Sequence, residues 1–576
     1  MKIIIARTAG FCMGVRRAVE MVLDAPGSRK GPICTYGPLI HNPQVLASLR
    51  EKGIDAIDRI PENGSGTALI RAHGVPPETA SELKDAGFEV LDATCPRVIK
   101  VQRIIHAHAQ KGAAVIIIGD ENHPEVVGLL GYAGSRGVVV NSLEALEALP
   151  VFDMAIIVAQ TTQNTGFFDM VKAWAADHHP NYTVFDTICD STQKRQAEVA
   201  EIAAAVDAII VVGGKNSGNT LRLMEIARQT GKPTFHIETE HELDLDALAG
   251  AETIGITAGA STPNWIIRRV CRKLEMLPIS RQSRLRRWAF NLQRALLLTN
   301  IYVSIGAGCL CYACTQMLQV KDSFPYVFIA AFYVQSMHTL NHLTGSKSDR
   351  YNDPVRASFY TRHRLSLTTL ALLAGAAGLL TAYTLGVLAT IILTAISATG
   401  LSYNLNVLPR AIQARYRRIR DIPGSKTVLI AAAWGVVTTL LPAVTESRVC
   451  WEAVAAVLFW ATCMVFVWTA FFDLLDIQGD RIVGKETIPI LLGEQKTLWM
   501  LYILLAAAMA TLLAAAGEGI LPPVAVALAV CPLAFAGLMR AYQQGAIMAG
   551  IRLEFATESV FILCGIISLT GALVAG

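Results

Sequence analysis

Three cysteines in the first half of the chain stand in similar surroundings. Cys12, Cys95 and Cys189 each follow a short run rich in β-branched residues, and the last two share an Asp-x-x-Cys ending. A single cysteine of this kind is usually a small buried core residue. Three in equivalent places predict instead that the thiolates come together, and soft thiolate ligands fit an iron-sulfur cluster. Zinc is the competing metal, but its sites usually contain close Cys-x-x-Cys pairs, which these positions lack.

Polar side chains follow other strand-like runs of the same half. Histidines, hydroxyls and amides recur there, namely His41, His73, His123, Gln160, Thr161, Ser217, Asn219 and Ser261. Each histidine taken alone is more often an ordinary loop or core residue, whereas the whole set makes a donor-rich site suited to a phosphate or diphosphate. Glu125, two residues after His123, is the obvious group to carry a proton.

A third set of candidate residues lies in the second half. Asp473, Asp476 and Asp480 end a long apolar segment and are spaced three and four residues apart. Such spacings put carboxylates on one helical face, where their oxygens could share Mg²⁺ with a diphosphate. Carboxylates beside a membrane-spanning helix are costly and therefore indicate a function. The alternative is three solvated loop acids.

The elements that would position the first two sets are α/β units. Eight β-rich runs alternate with helix-like stretches, namely KIIIA, TALIRA, FEVLDA, AAVIIIG, MAIIVAQ, YTVFDT, AIIVVGG and TIGITAG. This pattern is typical of mostly parallel strands buried on both sides. Ligands of such sheets bind beyond the carboxyl ends of the strands, where the cysteines and polar residues lie. Because the cysteines would come from different lobes, a three-lobed arrangement could gather them.

The second half reads as an all-α membrane domain. Nine apolar segments are centred near residues 307, 333, 375, 395, 436, 463, 507, 529 and 566. They repeatedly reach the roughly 20 residues that cross a bilayer. Basic residues cluster before the first segment and after each even-numbered one. The positive-inside rule therefore predicts an inner-membrane protein whose N-terminal half lies in the cytosol and whose C-terminus, Gly576, lies outside.

Composition restricts the remaining possibilities. A length of 576 residues favours at least two domains, and the apolar stretch at the N-terminus is too short for a signal peptide. Twelve dispersed cysteines in a cytosolic setting argue against a disulfide framework. The net charge of +4 is small for this length and its basic residues lie beside membrane segments, so no nucleic-acid partner is expected.

With these motifs the first half resembles a known family. Residues 1 to 275 are similar to the IspH or LytB family, the 4-hydroxy-3-methylbut-2-enyl diphosphate reductases that end the methylerythritol phosphate route. The residues that carry the resemblance are Cys12, His41, His73, Cys95, His123–Glu125, Gln160–Thr162, Cys189, Lys215–Ser217 and Ala258–Ser261. The resemblance implies reductive dehydroxylation of that substrate to isopentenyl and dimethylallyl diphosphate.

The resemblance also implies roles for individual residues. Cys12, Cys95 and Cys189 would hold three irons of a 4Fe-4S cluster and leave the fourth iron open for the substrate hydroxyl. Glu125, Thr161 and His123 would be the catalytic group, with Glu125 donating a proton relayed through Thr161. The substrate-binding residues would be His41, His73, His123, Gln160, Thr161, Ser217, Gly218, Asn219 and Ser261. Gly218 stands where some family members have serine. A ferredoxin- or flavodoxin-type protein would supply the electrons.

The second half resembles the UbiA family of intramembrane prenyltransferases over residues 295 to 576. The resemblance rests on Asp473, Asp476 and Asp480, followed by a Gly-Lys-x-Thr-x-Pro motif. It implies that Mg²⁺ helps to ionise a prenyl diphosphate, whose carbocation then joins an acceptor among the membrane lipids. The acceptor itself is unknown.

The first aspartate-rich motif of that family is altered in this chain. Asn341 and Asp349 remain as Mg²⁺ candidates, but His342 and Gly345 stand where the family has acids. Fewer carboxylates predict altered metal use, a different substrate or no transferase activity.

Together these observations predict a multidomain protein. A three-lobed α/β iron-sulfur domain would cover residues 1–280, a basic linker 281–295 and a membrane domain of nine transmembrane helices 296–576. We expect a reductase fused to a Mg²⁺-dependent prenyltransferase. One alternative keeps the reductase and makes the membrane half a catalytically silent anchor. Another makes the first half a non-enzymatic iron-sulfur sensor, although a sensor needs cysteines and not Glu125 with its surrounding donors.

Overall fold

The computed structural model describes most of the chain. The described residues are 2–29, 31–248, 250–275, 284–344, 352–403, 419, 422–446, 450–483, 486–547 and 549–575. They form two compact units, Met1–Pro278 and Ile279–Gly576.

Twelve short strands of the first unit form three separate parallel sheets of four strands each. The strands are β1 Lys2–Ile5, β2 Ile33–Tyr36, β3 Asp55–Ile57, β4 Thr67–Ile70, β5 Glu89–Asp92, β6 Ala114–Ile118, β7 Gly137–Val140, β8 Ala155–Ala159, β9 Thr183–Phe185, β10 Ala208–Val212, β11 Thr234–Ile237 and β12 Thr253–Ala258. The strand orders are β1-β12-β10-β11, β3-β2-β4-β5 and β7-β6-β8-β9. The predicted three-lobed α/β domain is thereby confirmed.

The two ends of the first unit meet in one sheet. Strand β12 lies between β1 and β10, with Lys2 opposite Thr253 and Ile209 opposite Gly255. The sheet is therefore complete only when the last strand of the unit has joined the first. Each of the other two sheets consists of four strands that follow one another along the chain, β2–β5 in one and β6–β9 in the other.

The central strands of two sheets explain why the sequence shows continuous apolar runs. Every residue of β6, β8 and β10 is buried. Parallel strands covered on both faces need apolar side chains at every position rather than at alternate ones. Each fully buried valine or isoleucine side chain contributes about 1.5–3 kcal/mol relative to an exposed one.

Ten α-helices of the first unit connect these strands. They are α1 Met13–Ser28, α2 Pro43–Arg50, α3 Pro77–Asp85, α4 Pro96–Ala109, α5 Pro124–Ala133, α6 Leu143–Glu147, α7 Thr165–His178, α8 Asp190–Ala205, α9 Gly218–Gln229 and α10 Asn264–Glu275. Two begin with a proline directly after a candidate site residue, at Cys95–Pro96 and His123–Pro124. Proline at the first helical position has a suitable φ and lacks only an N–H that would have no helical partner, so it fixes where these helices start.

The regular elements among the described residues of the second unit are all helices. Its helices are α11 Arg284–Leu298, α12 Ile301–Met317, α13 Phe324–Leu343, α14 Pro354–Arg362, α15 Arg364–Leu385, α16 Val387–Ser402, α17 Ser425–Gly435, α18 Leu441–Thr445, α19 Trp451–Leu475, α20 Ile477–Val483, α21 Ile488–Leu492, α22 Glu494–Gly517, α23 Val524–Leu528, α24 Val530–Gln543 and α25 Ile551–Ala575. A π-helical turn, Val436–Leu440, joins α17 to α18.

Part of the predicted basic linker is helical. Helix α11 covers Arg284–Leu298, and its direction differs by 73° from that of α12. The break lies at Asn300, which is buried with a left-handed φ of 60°. The Asn300 side chain donates to the Tyr360 hydroxyl at 2.8 Å, so a hydrogen bond stabilises the bend.

Six helices in the described part of the chain are long and apolar enough to cross a membrane. They are Arg364–Leu385, Ser425–Thr445, Trp451–Leu475, Glu494–Gly517, Val524–Gln543 and Ile551–Ala572. Counting the bent pair α11 and α12 as one span gives seven. Helix α16 is apolar but has only 16 residues, and α13 includes Gln335, His338 and Asn341 within its length. A membrane-embedded helical region is supported, whereas the count of nine spans stays a prediction.

The closure of the first sheet leads to a prediction about folding. We expect a fragment of residues 1–280 to be soluble and to unfold cooperatively, because all three sheets are complete within it. A control fragment of residues 1–250 lacks β12 and should not give a cooperative transition, since β1 then has no partner strand. Circular dichroism during heating measures both. Aggregation of the 1–280 fragment, or a cooperative transition in the shorter one, would contradict this account.

Candidate active site

A cavity in the first unit collects side chains from all three sheets. Twelve of the residues predicted from the sequence line it: Cys12, His41, His73, Cys95, His123, Glu125, Thr161, Cys189, Ser217, Gly218, Asn219 and Ser261. Gln160 is the exception. It is buried behind the cavity, where its side chain accepts from Asp120 N at 3.1 Å and donates to Thr162 Oγ1 at 3.0 Å.

Each of the three cysteines caps the N-terminus of a helix. Cys12 precedes α1, Cys95 precedes α4 and Cys189 precedes α8, and all three are half-buried free thiols. Cys12 Sγ accepts a long hydrogen bond from Val15 N at 3.5 Å. The partial positive charge of a helix N-terminus stabilises a thiolate, so the three caps favour the form that binds metals.

Main-chain hydrogen bonds tie each cysteine to a loop that carries polar site residues. Cys12 N donates to Ala260 O at 3.1 Å, beside Ser261. Cys95 N donates to Ala72 O at 2.9 Å, beside His73. Cys189 N donates to Thr161 O at 3.0 Å. The thiols and the polar groups are therefore held in one frame by the backbone.

The surroundings of Cys95 show how closely the first and second lobes approach. A Cβ at Gly14 would lie 2.5 Å from Cys95 Sγ, so only glycine leaves room for the thiol there. Burial raises the pKa of Cys95, backbone hydrogen bonds from Arg97 and Val98 lower it, and Cys12 and Cys189 raise it further. A negative charge on Cys12 or Cys189 therefore makes ionisation of Cys95 less favourable.

Three histidines converge on the other side of the cavity. The centroid of the His41 ring lies 4.8 Å from that of His73 and 5.9 Å from that of His123, and the His73 and His123 centroids are 5.4 Å apart. His123 Nδ1 accepts from Glu125 N at 3.1 Å, so its Nε2 is the ring nitrogen left for a ligand. Among the described residues, buried His41 Nε2 and His73 Nδ1 have no hydrogen-bond partner. Unpartnered buried polar atoms are uncommon, and these fit a bound polar group.

Burial keeps these imidazoles neutral. Desolvation lowers the pKa of His73 well below its usual value, and His41, His123 and Arg71 lower it further. The pKa of His123 falls to about 4, mainly through burial. A bound anion would favour the protonated rings, so ligand binding and proton uptake should be linked at this site.

Glu125 lies in the first turn of α5 and is 1% exposed. Its Oε1 accepts from Thr161 N at 2.7 Å and its Oε2 accepts from Thr161 Oγ1 at 2.8 Å. Burial raises the pKa of Glu125 to about 7, although both Thr161 hydrogen bonds lower it. Relative to the usual value this corresponds to about 3 kcal/mol against the charged form. Glu125 can therefore both hold and release a proton near neutral pH.

The N-terminus of α9 supplies further donors. Ser261 Oγ donates to His41 O at 3.1 Å and lies 3.3 Å from Ser217 Oγ, the cap of this helix. Asn219 Nδ2 is buried without a partner among the described residues. A Cβ at Gly218 would lie 3.5 Å from His123 Nε2, which is ordinary contact. Free N–H groups and hydroxyls at a helix N-terminus form an anion site.

The second unit brings part of its predicted aspartate set together. Asp473 is 1% exposed, and its two oxygens accept from Lys426 Nζ at 3.0 Å and Thr427 Oγ1 at 2.7 Å. Asp480 is 3% exposed and accepts from Asn352 Nδ2 at 3.0 Å. Asp473, Asp476 and Asp480 all act electrostatically on the Lys426 ammonium. Hard carboxylate oxygens grouped in this way are suited to Mg²⁺.

The altered first motif contributes less to this group. Asn341 is exposed at the end of α13, and the His342 ring contacts the Tyr360 ring with centroids 5.3 Å apart. Asp349 and Gly345 lie outside the described residues.

Comparison with known proteins agrees with the geometry of the first unit. The LytB protein family model matches residues 3–275. The 4-hydroxy-3-methylbut-2-enyl diphosphate reductase of Oleidesulfovibrio alaskensis is 46% identical over 279 residues, which are 47% of this chain and 98% of the relative. The chain belongs to the LytB family. The corresponding reductase of Pelobacter propionicus is 42% identical over 274 residues, 48% of this chain and 98% of that relative.

The second half matches a different family. The UbiA prenyltransferase family model matches residues 301–550. A solved apo structure of a UbiA homolog from Aeropyrum pernix K1 is 18% identical, covers 47% of this chain and 98% of its own, and has a TM-score of 0.36. On the family match the second half of this LytB protein is UbiA-like, and both resemblances inferred from the sequence are confirmed.

The structure also reveals site residues that sequence reasoning missed. Arg195 is buried beside Cys12 and Cys189, on α8, and nothing in its sequence pattern distinguishes it from the neighbouring surface cations. Lys426 was one basic residue among many in a loop that follows an even-numbered apolar segment. The Ile-Pro-Gly turn at residues 422–424 marks the start of α17, and Lys426 is the second residue of that helix.

Proposed function

We propose that residues 1–280 catalyse the reductive dehydroxylation of 4-hydroxy-3-methylbut-2-enyl diphosphate to isopentenyl and dimethylallyl diphosphate. The observation that carries the proposal is the single cavity in which three capping cysteines face the Glu125–Thr161 pair and three histidines. The overall change consumes two electrons and two protons, releases the hydroxyl as water and leaves a C–H bond. Its substrate carries both a diphosphate and a hydroxyl, and the cavity has groups for each.

The donor set fits a 4Fe-4S cluster better than a zinc ion. Zinc–thiolate bonds of about 2.3 Å would require sulfurs within about 4.6 Å of one another. Among described residues, the one group whose ligand atoms all lie within 4.8 Å consists of the histidines and leaves out Cys12, Cys95 and Cys189. These cysteines would hold three irons of the cluster. When bound, the cluster supplies electrons one at a time and an iron with an open coordination position.

The polar residues would bind and orient the diphosphate. His41, His73 and His123 have ring nitrogens directed at the cavity, and Ser217, Asn219 and Ser261 add donors at the N-terminus of α9. The Gly218 N–H and the buried Gln160 amide would support this set. Fixed donors in an enclosed site interact strongly with phosphate oxygens because little solvent screens them.

Glu125 is the proton donor in this proposal. Its pKa of about 7 keeps a large protonated fraction at neutral pH. Thr161 Oγ1 lies 2.8 Å from its carboxylate and can relay the proton to the departing hydroxyl. His123 caps the same helix, and its Nε2 would donate to the substrate.

For residues 296–576, with 281–295 as the linker, we propose a membrane domain that transfers a prenyl group to a lipid acceptor. Asp473, Asp476 and Asp480 would hold Mg²⁺, assisted by Asn341 and Asp349. Lys426 Nζ donates to one oxygen of Asp473, so the lysine lies close enough to help the metal neutralise the charge of the diphosphate. We place the reductase domain in the cytosol at the inner membrane, with Gly576 outside, supplied with electrons by a ferredoxin- or flavodoxin-type protein.

One observation favours a second candidate for the membrane half. The Lys426–Asp473 contact already neutralises the acid that would be a metal ligand, and the first motif has lost two acids. Such a site suits a catalytically silent anchor. A pure iron-sulfur sensor has less support, since the Glu125 and histidine groups would have no use in it.

Replacing Cys95 tests the cluster. We predict that Cys95→Ser protein purified without oxygen loses most of its iron and its absorbance at about 400 nm, as expected for a hard alcohol in place of a soft thiolate ligand. Cys34→Ser is the control, because Cys34 is a half-buried free thiol outside the cavity. Wild-type protein that takes up zinc and no iron would refute the assignment.

Replacing Glu125 tests the proton donor. Glu125→Gln should keep the cluster and substrate binding and lose turnover by about 100-fold or more, because an amide cannot donate the proton. Glu121→Gln removes an exposed acid four residues earlier and should have no effect. Turnover of the Glu125→Gln protein within a few-fold of wild type would show that Glu125 has another role.

The pH profile is a further control on the same group. Wild-type turnover should fall as pH rises through about 7, because the protonated acid is then lost. Thr161→Val removes a hydrogen bond that favours the carboxylate, so the pKa of Glu125 rises. The variant also lacks the relay hydroxyl, so its turnover should be lower than that of wild type, and the fall of the remaining turnover should move to higher pH. A profile that does not move in Thr161→Val would argue against control by Glu125.

Replacing Asp473 tests the membrane half. Membranes containing wild-type protein, incubated with labelled prenyl diphosphates and a panel of quinone-type and other acceptors, should give Mg²⁺-dependent transfer that Asp473→Asn abolishes. Reduction by the first half should be unchanged in that variant. Glu494→Gln, an exposed acid at the start of α22, is the matched control. Absence of transfer with wild-type membranes would favour the silent anchor.

A further inference from the structure

A buried arginine connects the loop of one candidate cysteine ligand to the helix of another. Arg195 lies on α8, six residues after Cys189, and is 3% exposed. Its Nη2 donates to Gly10 O at 2.6 Å, two residues before Cys12. Its Nη1 donates to Ala258 O at 2.9 Å, at the end of β12. One guanidinium therefore fixes the Cys12 loop against α8.

Among the residues that the structure describes, no carboxylate lies in direct contact with the positive charge of this arginine. Its hydrogen bonds go to the main-chain carbonyls of Gly10 and Ala258 and, at 3.4 Å, to Ser191 Oγ. Burial of an uncompensated cation is costly. The groups that act favourably on its charge are Cys12, Glu198 and Cys189. As thiolates, Cys12 and Cys189 would therefore supply part of the missing compensation.

Glu198 stands one turn further along α8 and binds the same loop. Its Oε1 accepts from Arg7 N at 2.6 Å, and its Oε2 accepts from Thr8 N at 2.9 Å and Thr8 Oγ1 at 2.6 Å. The two residues hold one loop with charges of opposite sign. This arrangement allows the effect of charge to be separated from the effect of anchoring.

We propose that Arg195 is a positioning residue that holds Cys12 against Cys189 and whose charge favours the reduced state of the cluster these cysteines would bind. The inference rests on the reductase function proposed above. A cluster ligated by three thiolates is anionic and takes a further negative charge when the external donor delivers one electron. A fixed cation in a poorly screened interior stabilises the more negative state and raises the reduction potential.

The test uses the full chain, reconstituted with iron and sulfide without oxygen, in a redox titration followed by electron paramagnetic resonance. Arg195→Gln removes the charge and keeps one polar NH2 group on a shorter side chain. We expect the reduction equilibrium to become about tenfold less favourable, a potential about 59 mV lower for a one-electron couple. Arg195→Lys keeps the charge and should shift the potential by clearly less.

Glu198→Gln is the matched control on the loop. It disturbs the same segment and removes a negative charge, so its potential should stay the same or rise. A fall equal to that of Arg195→Gln would attribute the shift to loop disturbance and overturn the proposal. An unchanged potential in iron-loaded Arg195→Gln would overturn it too.

Loss of the cluster is also informative. If Arg195→Gln loses its iron while Arg195→Lys retains it with near wild-type potential, charge at this position is required, as proposed. If both variants lose their iron while circular dichroism shows an intact fold, the role is anchoring alone and the charge proposal is wrong. Failure of the wild-type chain to bind a cluster would instead refute the proposed function itself.

Discussion

The candidate site of the reductase half depends on three main-chain hydrogen bonds. Each joins the N–H of a capping cysteine to a loop from another part of the unit, at Ala260, Ala72 and Thr161. Thiols at helix N-termini are favourable individually, but three of them near one cavity also repel one another when ionised. They are held there by the proline that starts α4 after Cys95, by the room that Gly14 leaves, and by the buried guanidinium of Arg195.

The same enclosure sets the proton chemistry. Removing solvent disfavours charge, which raises the pKa of Glu125 to about 7 and lowers that of His123 to about 4. A protonated fraction of Glu125 and the neutral histidine rings therefore lie beside a site suited to an anion. Binding of a diphosphate would reverse the preference of the histidines without altering the need for a protonated Glu125. Burial alone thereby adapts Glu125 to donate a proton and the histidines to bind an anion.

The sequence predicted most of the reductase fold and site, and the gaps have physical reasons. All eight β-rich runs are strands, and their carboxyl ends gather the predicted residues because parallel strands end on one side of a sheet. Strands β2, β3, β7 and β11 were not anticipated, since three lie at sheet edges and all are short. Arg195 and Lys426 were missed because their importance depends on contacts with distant segments of the chain, with Gly10 and Ala258 for Arg195 and with Asp473 for Lys426. In the membrane half, six helices among the described residues are long and apolar enough to cross a membrane, or seven with the bent pair, and nine spans stay a prediction.

The most direct test of the account is Mössbauer spectroscopy of the full chain reconstituted with ⁵⁷Fe in the absence of oxygen. Three cysteine ligands and one open position predict a 4Fe-4S cluster with one iron distinct from the other three. The signal of that iron should change when 4-hydroxy-3-methylbut-2-enyl diphosphate is added. Four irons that cannot be distinguished and do not respond to the substrate, or a protein that binds only zinc, would contradict the convergence of Cys12, Cys95 and Cys189 on one reactive centre.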